Sequence, residues 1–208
     1  MGDSRRTQQE RRDAMRARLL EAAITVLTER GYAATTAKNV LSEAGVSAGA
    51  LYRYFPSLVD LVIEAAEEIR RRQFAAVGER LAEGGDLSEE VLVDLLRRVS
   101  RMPVTGGWYD LLVAARTDAD LRERLAAFTE RYHDDIWALA RSLPLAQRWE
   151  EPAYRMVVFS LVHLFDGEAI AAPLHPEPEL EVRRTEALAA LLRGGAIPGY
   201  RPVDGPTA

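Results

Sequence analysis

The sequence predicts an all-α protein with a small N-terminal head and a larger helical body. Three observations carry this. Apolar residues recur at helical spacing along nearly the whole chain, and no alternating strand pattern, internal repeat or low-complexity block interrupts them. Ser, Thr or Asp stands before many of the apolar runs, with Gly or Pro after them, the chemistry of helix starts and stops. Between Thr35 and Ser57 two short helical segments meet at a glycine, which is the layout of a helix-turn-helix.

Taken in order, residues 1–11 are polar and expected to be disordered. Arg5, Arg6, Arg11 and Arg12 either form an arm along a nucleic-acid groove or belong to a solvated tail. Met15, Leu19, Ala22, Val26 and Leu27 mark a first helix ending at Gly31. Thr36 caps a short helix from Ala37 whose inner face is Val40, Leu41 and Ala44. Gly45 closes it, because a left-handed backbone costs glycine little. Ser47 is the expected N-cap of a two-turn helix from Ala48 to about Tyr54, with Val46 stapled against Leu51. Pro56 stops that helix, and Ser57 with Asp60 at the third position caps the next.

The long helix from Ser57 carries Leu61, Val62, Ala65 and Ile69 and runs to about Glu83, before Gly84-Gly85. Asp86 and Glu89 suit the start of a helix with Leu92, Leu95, Leu96 and Val99 inward. Pro103 and Gly106-Gly107 are expected to break it, leaving a shorter helix from about Trp108 to Arg116. After Asp118 an apolar stripe of Leu121, Leu125, Phe128, Tyr132, Ile136 and Leu139 reaches Pro144. Residues 151–172 are apolar on most sides, as in a helix buried between others or between subunits. A last amphipathic helix spans residues 177–193, and the Gly/Pro-rich stretch 194–208 reads as a flexible tail.

On the exposed faces of the head, Thr36, Lys38, Ser47, Tyr52, Arg53 and Tyr54 are donors suited to phosphate oxygens, which take most protein–DNA hydrogen bonds. Gly49 presents no side chain, so backbone and duplex can approach closely. Thr-Thr-x-Lys followed by Ala-Gly-Val-Ser-x-Gly-x-Leu-Tyr-x-Tyr-Phe-Pro-Ser resembles the DNA-binding domain of the tetracycline-repressor (TetR) family, and the likeness runs from about Arg12 to Leu61. The resemblance implies a homodimeric, all-helical transcriptional regulator, usually a repressor released from DNA by a small molecule. It places DNA contacts at Thr36, Lys38, Ser47, Ala48, Gly49, Tyr52, Arg53, Tyr54 and Ser57. Two positions depart from the family pattern. Leu58 stands where a phosphate-binding lysine is common, and Ala48 where the residue is often basic or polar. Lys38 is the only lysine, so weaker non-specific DNA affinity than that of a typical member is expected.

Charge agrees with this division. The net charge is −5, yet residues 1–57 hold nine Lys/Arg against six Asp/Glu, while residues 58–208 hold 18 against 26. With no cysteine, disulfides and thiolate metal sites are excluded. No signal core or membrane-length apolar run is present, which predicts a cytoplasmic protein.

The expected domains are an arm (1–11), a DNA-binding head (12–57), an effector-binding and dimerisation body (58–193) and the tail. A short reading helix recognises few bases, so two related by a dyad would read a palindromic operator in double-stranded DNA. The two C-terminal helices are the expected dimer contact. Aromatic residues and a few polar ones concentrate in the middle helices: Trp108, Tyr109, Phe128, Tyr132, His133, Trp137, Phe159, His163 and Asp166 either line an effector pocket or pack a core. Asp110 is a further polar residue of that region.

Catalysis finds little support. Glu130-x-x-His133 matches half of a di-iron carboxylate motif, but Ser160 and Ala172 stand where His163 and His175 would need a glutamate. There is no nucleophile elbow and no phosphate-binding glycine loop, and neither cofactor nor resident metal is expected. A purely structural helical module is the remaining alternative.

Overall fold

The computed structural model describes residues 7–194 apart from 48, 85 and 86. Among these residues there are eight α-helices and no strand: α1 (Gln8–Arg30), α2 (Ala37–Ala44), α3 (Leu58–Ala82), α4 (Glu89–Ser100), α5 (Thr105–Ala114), α6 (Ala119–Ser142), α7 (Glu151–Ala171) and α8 (Pro178–Gly194). No described helix is long and apolar enough to cross a membrane.

The first helix starts inside the segment expected to be a disordered arm. Thr7 accepts a bond from the Glu10 amide at 3.2 Å, and the Glu10 carboxylate accepts one from the Thr7 amide at 2.6 Å. This capping box satisfies two otherwise orphaned donors and fixes the helix start. Arg11 and Arg12 are therefore exposed helical residues. Arg5, Arg6 and the stretch 195–208 lie outside the described residues.

The chain divides into two compact units. The first holds the described residues up to Arg72 together with Pro103–Phe128. Its core joins Leu19, Ala23, Val26 and Leu27 of α1 with Val40, Leu51, Phe55, Leu61, Leu111 and Leu121. Fully burying each of the Leu, Val and Phe side chains contributes about 1.5–3 kcal/mol. The glycine pair expected to interrupt the chain lies inside α5. Gly107 is buried against α1, where a Cβ would sit 3.0 Å from Leu27 Cγ and 3.3 Å from Thr28 Oγ1. Absence of a side chain is thus used for close packing of α1 on α5, not for a turn. Asp118 caps α6 by accepting from the Leu121 amide at 3.0 Å and also receives the Tyr32 hydroxyl at 3.2 Å.

The second unit holds Gln73–Met102 and the described residues from Thr129. Val93, Trp137, Trp149, Tyr154, Val157, Phe165 and Leu192 form its core. The Tyr154 hydroxyl donates to the Ala140 carbonyl at 3.0 Å, and burial pushes this phenol up to about 12. Asp86, the expected cap of α4, lies outside the described residues; the helix starts at Glu89 with Ser88 at the N-cap position. The surface of α7 is less uniformly covered than its composition predicts. Tyr154, Val157, Val162 and Phe165 are buried, whereas Met156, Leu164 and Ile170 are exposed.

An ion-pair network ties α4, α7 and α8 together within this unit. Arg97 reaches Glu168 at 3.1 Å and Glu181 at 2.6 Å, and Arg101 reaches the same two carboxylates at 3.0 and 2.7 Å. Arg184 adds a further pair to Glu168. Hydrogen bonds from Arg101 first, then from Arg97, hold the Glu181 carboxyl down at about 2, although burial opposes them.

Candidate functional site

The frame of the reading segment is built from local caps. Thr36 has extended backbone, and its hydroxyl oxygen accepts from the Asn39 amide at 3.2 Å. Gly45 is left-handed (φ 61°, ψ 41°) at the end of α2. Its amide donates to Ser42 and the Val46 amide to Leu41, each at 3.1 Å, the paired bonds of a Schellman motif. A Cβ at Gly45 would meet the Arg18 guanidinium at 2.9 Å.

Beyond Gly45 the expected two-turn helix is not formed. Among the described residues between Gly45 and α3, only Leu51–Arg53 is helical, as one 3₁₀ turn. Gly49 supplies the physical reason: its φ of +86° lies outside any right-handed helix. Ser47 is not a side-chain N-cap here. Its backbone carbonyl accepts from the Ala50 amide at 3.2 Å, and the Ala50 carbonyl from the Arg53 amide at 3.2 Å. Ala48 lies outside the described residues. Leu51 and Phe55 are buried and pin this turn from below, while Tyr52 and Arg53 project outward, Tyr52 with 59% of its surface exposed. Lys38, Ser47 and Gly49 are also exposed, and Tyr54 is half-buried.

Ser57 caps α3 as its spacing predicts. It accepts from the Asp60 amide at 3.1 Å and donates to the Asp60 carboxylate at 2.6 Å, so its hydroxyl proton is already engaged. That donation, reinforced by Arg124, keeps the Asp60 carboxyl below its ordinary value against the effect of burial. One residue that holds the segment was not read from the sequence. Arg16 of α1 donates to the Tyr54 carbonyl at 3.1 Å, stacks 4.7 Å over the Phe55 ring and pairs with Glu64 of α3. No local pattern announces it, because its partners lie 38 and 48 residues away.

The second unit contains a cavity of about 160 Å³. Phe74 and Val77 of α3, Leu96 of α4, Ile136 of α6 and Val158 of α7 typify its apolar lining; Gln73, Ser100, Tyr132 and Asp166 are its polar exceptions beside the buried Tyr154. The Tyr132 hydroxyl donates to Gln73 Oε1 at 3.3 Å, and the Phe74 and Tyr132 rings meet edge to face at 6.1 Å.

Comparison with known proteins fits this architecture. Residues 19–65 match the family model described as bacterial regulatory proteins, tetR family. An HTH-type transcriptional regulator of Mycobacterium tuberculosis is 38% identical over 192 residues, which are 91% of this chain and 98% of that protein. The chain belongs to the TetR family. It is a DNA-binding transcriptional regulator. Two solved structures share its fold. A transcriptional regulator from Rhodococcus sp. RHA1 has a TM-score of 0.71 at 20% identity, over 86% of this chain and 96% of that one. The multidrug binding protein EbrR, complexed with imidazole, has a TM-score of 0.63 at 25% identity, over 92% and 97%.

Within this TetR-family chain, the residues considered as effector ligands separate into three groups. Tyr132 and Asp166 line the cavity. Trp108, Tyr109 and Phe128 are buried in the first unit, where Trp108 and Phe128 stack edge to face at 5.3 Å. His133, Phe159 and His163 form a cluster on α6 and α7 outside the cavity lining, with the His133 and Phe159 rings 4.9 Å apart, and Trp137 packs in the core beside them. Burial, followed by nearby His163 and Arg155, pushes the His133 imidazole below its ordinary value, with Asp134 opposing. Gln73 and Ser100 were missed. A signal for Gln73 exists, since it interrupts the i,i+4 series Ile69, Val77, Leu81 with a polar side chain. Among the described residues no three His, Asp or Glu groups are placed to hold a metal.

Proposed function

We propose that this chain is a cytoplasmic homodimeric repressor that binds a palindromic operator and leaves it when a small molecule enters the second unit. The observation that carries this reading is one chain holding both an exposed reading face and an apolar cavity. Lys38, Tyr52 and Arg53 project from a capped frame in the first unit, and the cavity lies wholly within the second. The imidazole complex of the similar EbrR supports a small-molecule role for such a body.

DNA contacts are assigned to Thr36, Lys38, Ser47, Ala48, Gly49, Tyr52, Arg53, Tyr54 and Ser57. Lys38 and Tyr52 grip phosphates, and Arg53 reads a base edge. Helix α3 connects the two activities, since Ser57 caps its start and Phe74 and Val77 of the same helix line the cavity. To weaken operator binding a hundredfold, the effector must prefer the released state by about 2.7 kcal/mol. Exposed Met156, Leu164 and Ile170 of α7 with Leu180, Val182 and Leu191 of α8 supply an apolar surface for the partner subunit.

The test is to select genomic fragments bound by the full-length protein, map their symmetry, and screen small molecules for release. Fragments with no shared palindrome, or binding by a monomer at micromolar concentration in light scattering, would count against the proposal.

A further inference from the structure

We propose that the cavity takes a neutral, largely hydrocarbon molecule of about ten heavy atoms, roughly one substituted ring, with a single uncharged polar group held by Tyr132 and Gln73. The inference rests on the effector reading above and narrows it to a ligand class.

Size is the first argument. The cavity volume is about 160 Å³, and an apolar protein cavity of about 150 Å³ admits a benzene-sized guest. Charge is the second argument. Among the described lining residues there is no Lys, Arg or His, and the one charged side chain is the carboxylate of Asp166. An anionic ligand would be desolvated without a counter-ion and repelled by Asp166. A cationic ligand would have to draw Asp166 from interactions it already makes within the protein. Moving an unpaired charge into such surroundings costs far more than moving a neutral group.

The polar anchor follows from the third observation. The Tyr132–Gln73 bond is 3.3 Å long, well beyond the optimum for two oxygens, and Gln73 is only 5% exposed. A ligand hydroxyl can accept from Tyr132 and donate to the Gln73 carbonyl, replacing one long bond by two shorter ones. A wholly hydrocarbon guest leaves the existing bond in place.

The probes are propylbenzene, 4-propylphenol, 4-propylbenzoate and 4-propylbenzylamine, titrated into the full-length protein by calorimetry at pH 7. The two neutral molecules are expected to bind roughly tenfold or more tightly than either ion. Equal or tighter binding of the benzoate or the amine overturns the proposal, and so does a failure of all four to bind. Tyr132→Phe is expected to weaken 4-propylphenol by about tenfold while leaving propylbenzene unchanged; equal effects on both overturn the anchor. Val77→Phe, which fills the cavity, is expected to abolish binding of the neutral pair with helix content by circular dichroism unchanged; undiminished binding would place the ligand elsewhere. Operator release is scored separately. If the neutral probes bind and DNA stays bound, the ligand class stands and the effector reading fails. If the benzoate binds more tightly and alone releases DNA, the reverse holds.

Discussion

Arg16 ties the segment after Gly45 to both α1 and α3. It joins the Tyr54 carbonyl, the Phe55 ring and Glu64, so one guanidinium spans the stretch between the 3₁₀ turn and α3. Arg16→Met keeps an apolar stem over Phe55 and removes the polar ties. Operator affinity is expected to fall by about tenfold, in keeping with loss of one charge-assisted hydrogen bond at a half-exposed site, with helix content by circular dichroism unchanged. Lys38→Ala is expected to weaken binding to all sequences and lower the salt slope by about one unit in anisotropy titrations. Arg53→Ala is expected instead to relax discrimination at particular operator positions by about 1–3 kcal/mol. Uniform weakening by Arg53→Ala would make it another phosphate contact.

At the scale of elements, Gly107 sets how closely α5 approaches α1. A methyl there would sit 3.0 Å from Leu27 Cγ. Gly107→Ala is therefore expected to destabilise the protein by about 1–3 kcal/mol through overpacking, despite the better helix propensity of alanine; a raised thermal midpoint would refute this. The same glycine shows where sequence reasoning stops. Helices α1, α3, α6, α7 and α8 end close to where periodicity, caps and prolines place them, because those signals are local. Gly107 reads locally as a breaker, and only its neighbour on α1, 80 positions away, makes it a packing residue. Gly49 errs the other way. Ser47 and Leu51 suit a capped helix, but the chain uses the freedom of Gly49 to turn left-handed and delay helix formation to Leu51. The cavity was partly legible, through aromatic density around Tyr132. Which aromatics face it was not, since Trp108 and Phe128 share that density and pack in another unit.

For the whole molecule, the Arg97–Arg101–Glu168–Glu181 network makes stability depend on acid. The Glu181 carboxyl lies at about 2 in the folded state against an ordinary 4.5. Its contribution is complete above about pH 4.5, where the carboxylate is ionised in both states. Stability is lost as pH falls from there towards 2, because the unfolded chain takes up the proton first. The thermal midpoint is expected to drop by several degrees across that interval, and Glu181→Gln should flatten the dependence. A midpoint constant between pH 5 and 3 in the native protein would show that the network contributes nothing net.

The unit that carries the reading segment is not one continuous stretch of chain. It needs Pro103–Phe128 as well as the N-terminal helices, and α5 seats Gly107 against Leu27 of α1. A gene fragment ending after α3 would leave that seat empty, with Leu27 facing water. Swapping specificity between relatives by exchanging the first 72 residues therefore asks foreign α1 to seat on native α5. Such chimaeras are expected to fold only when the Leu27–Gly107 seam is carried across together.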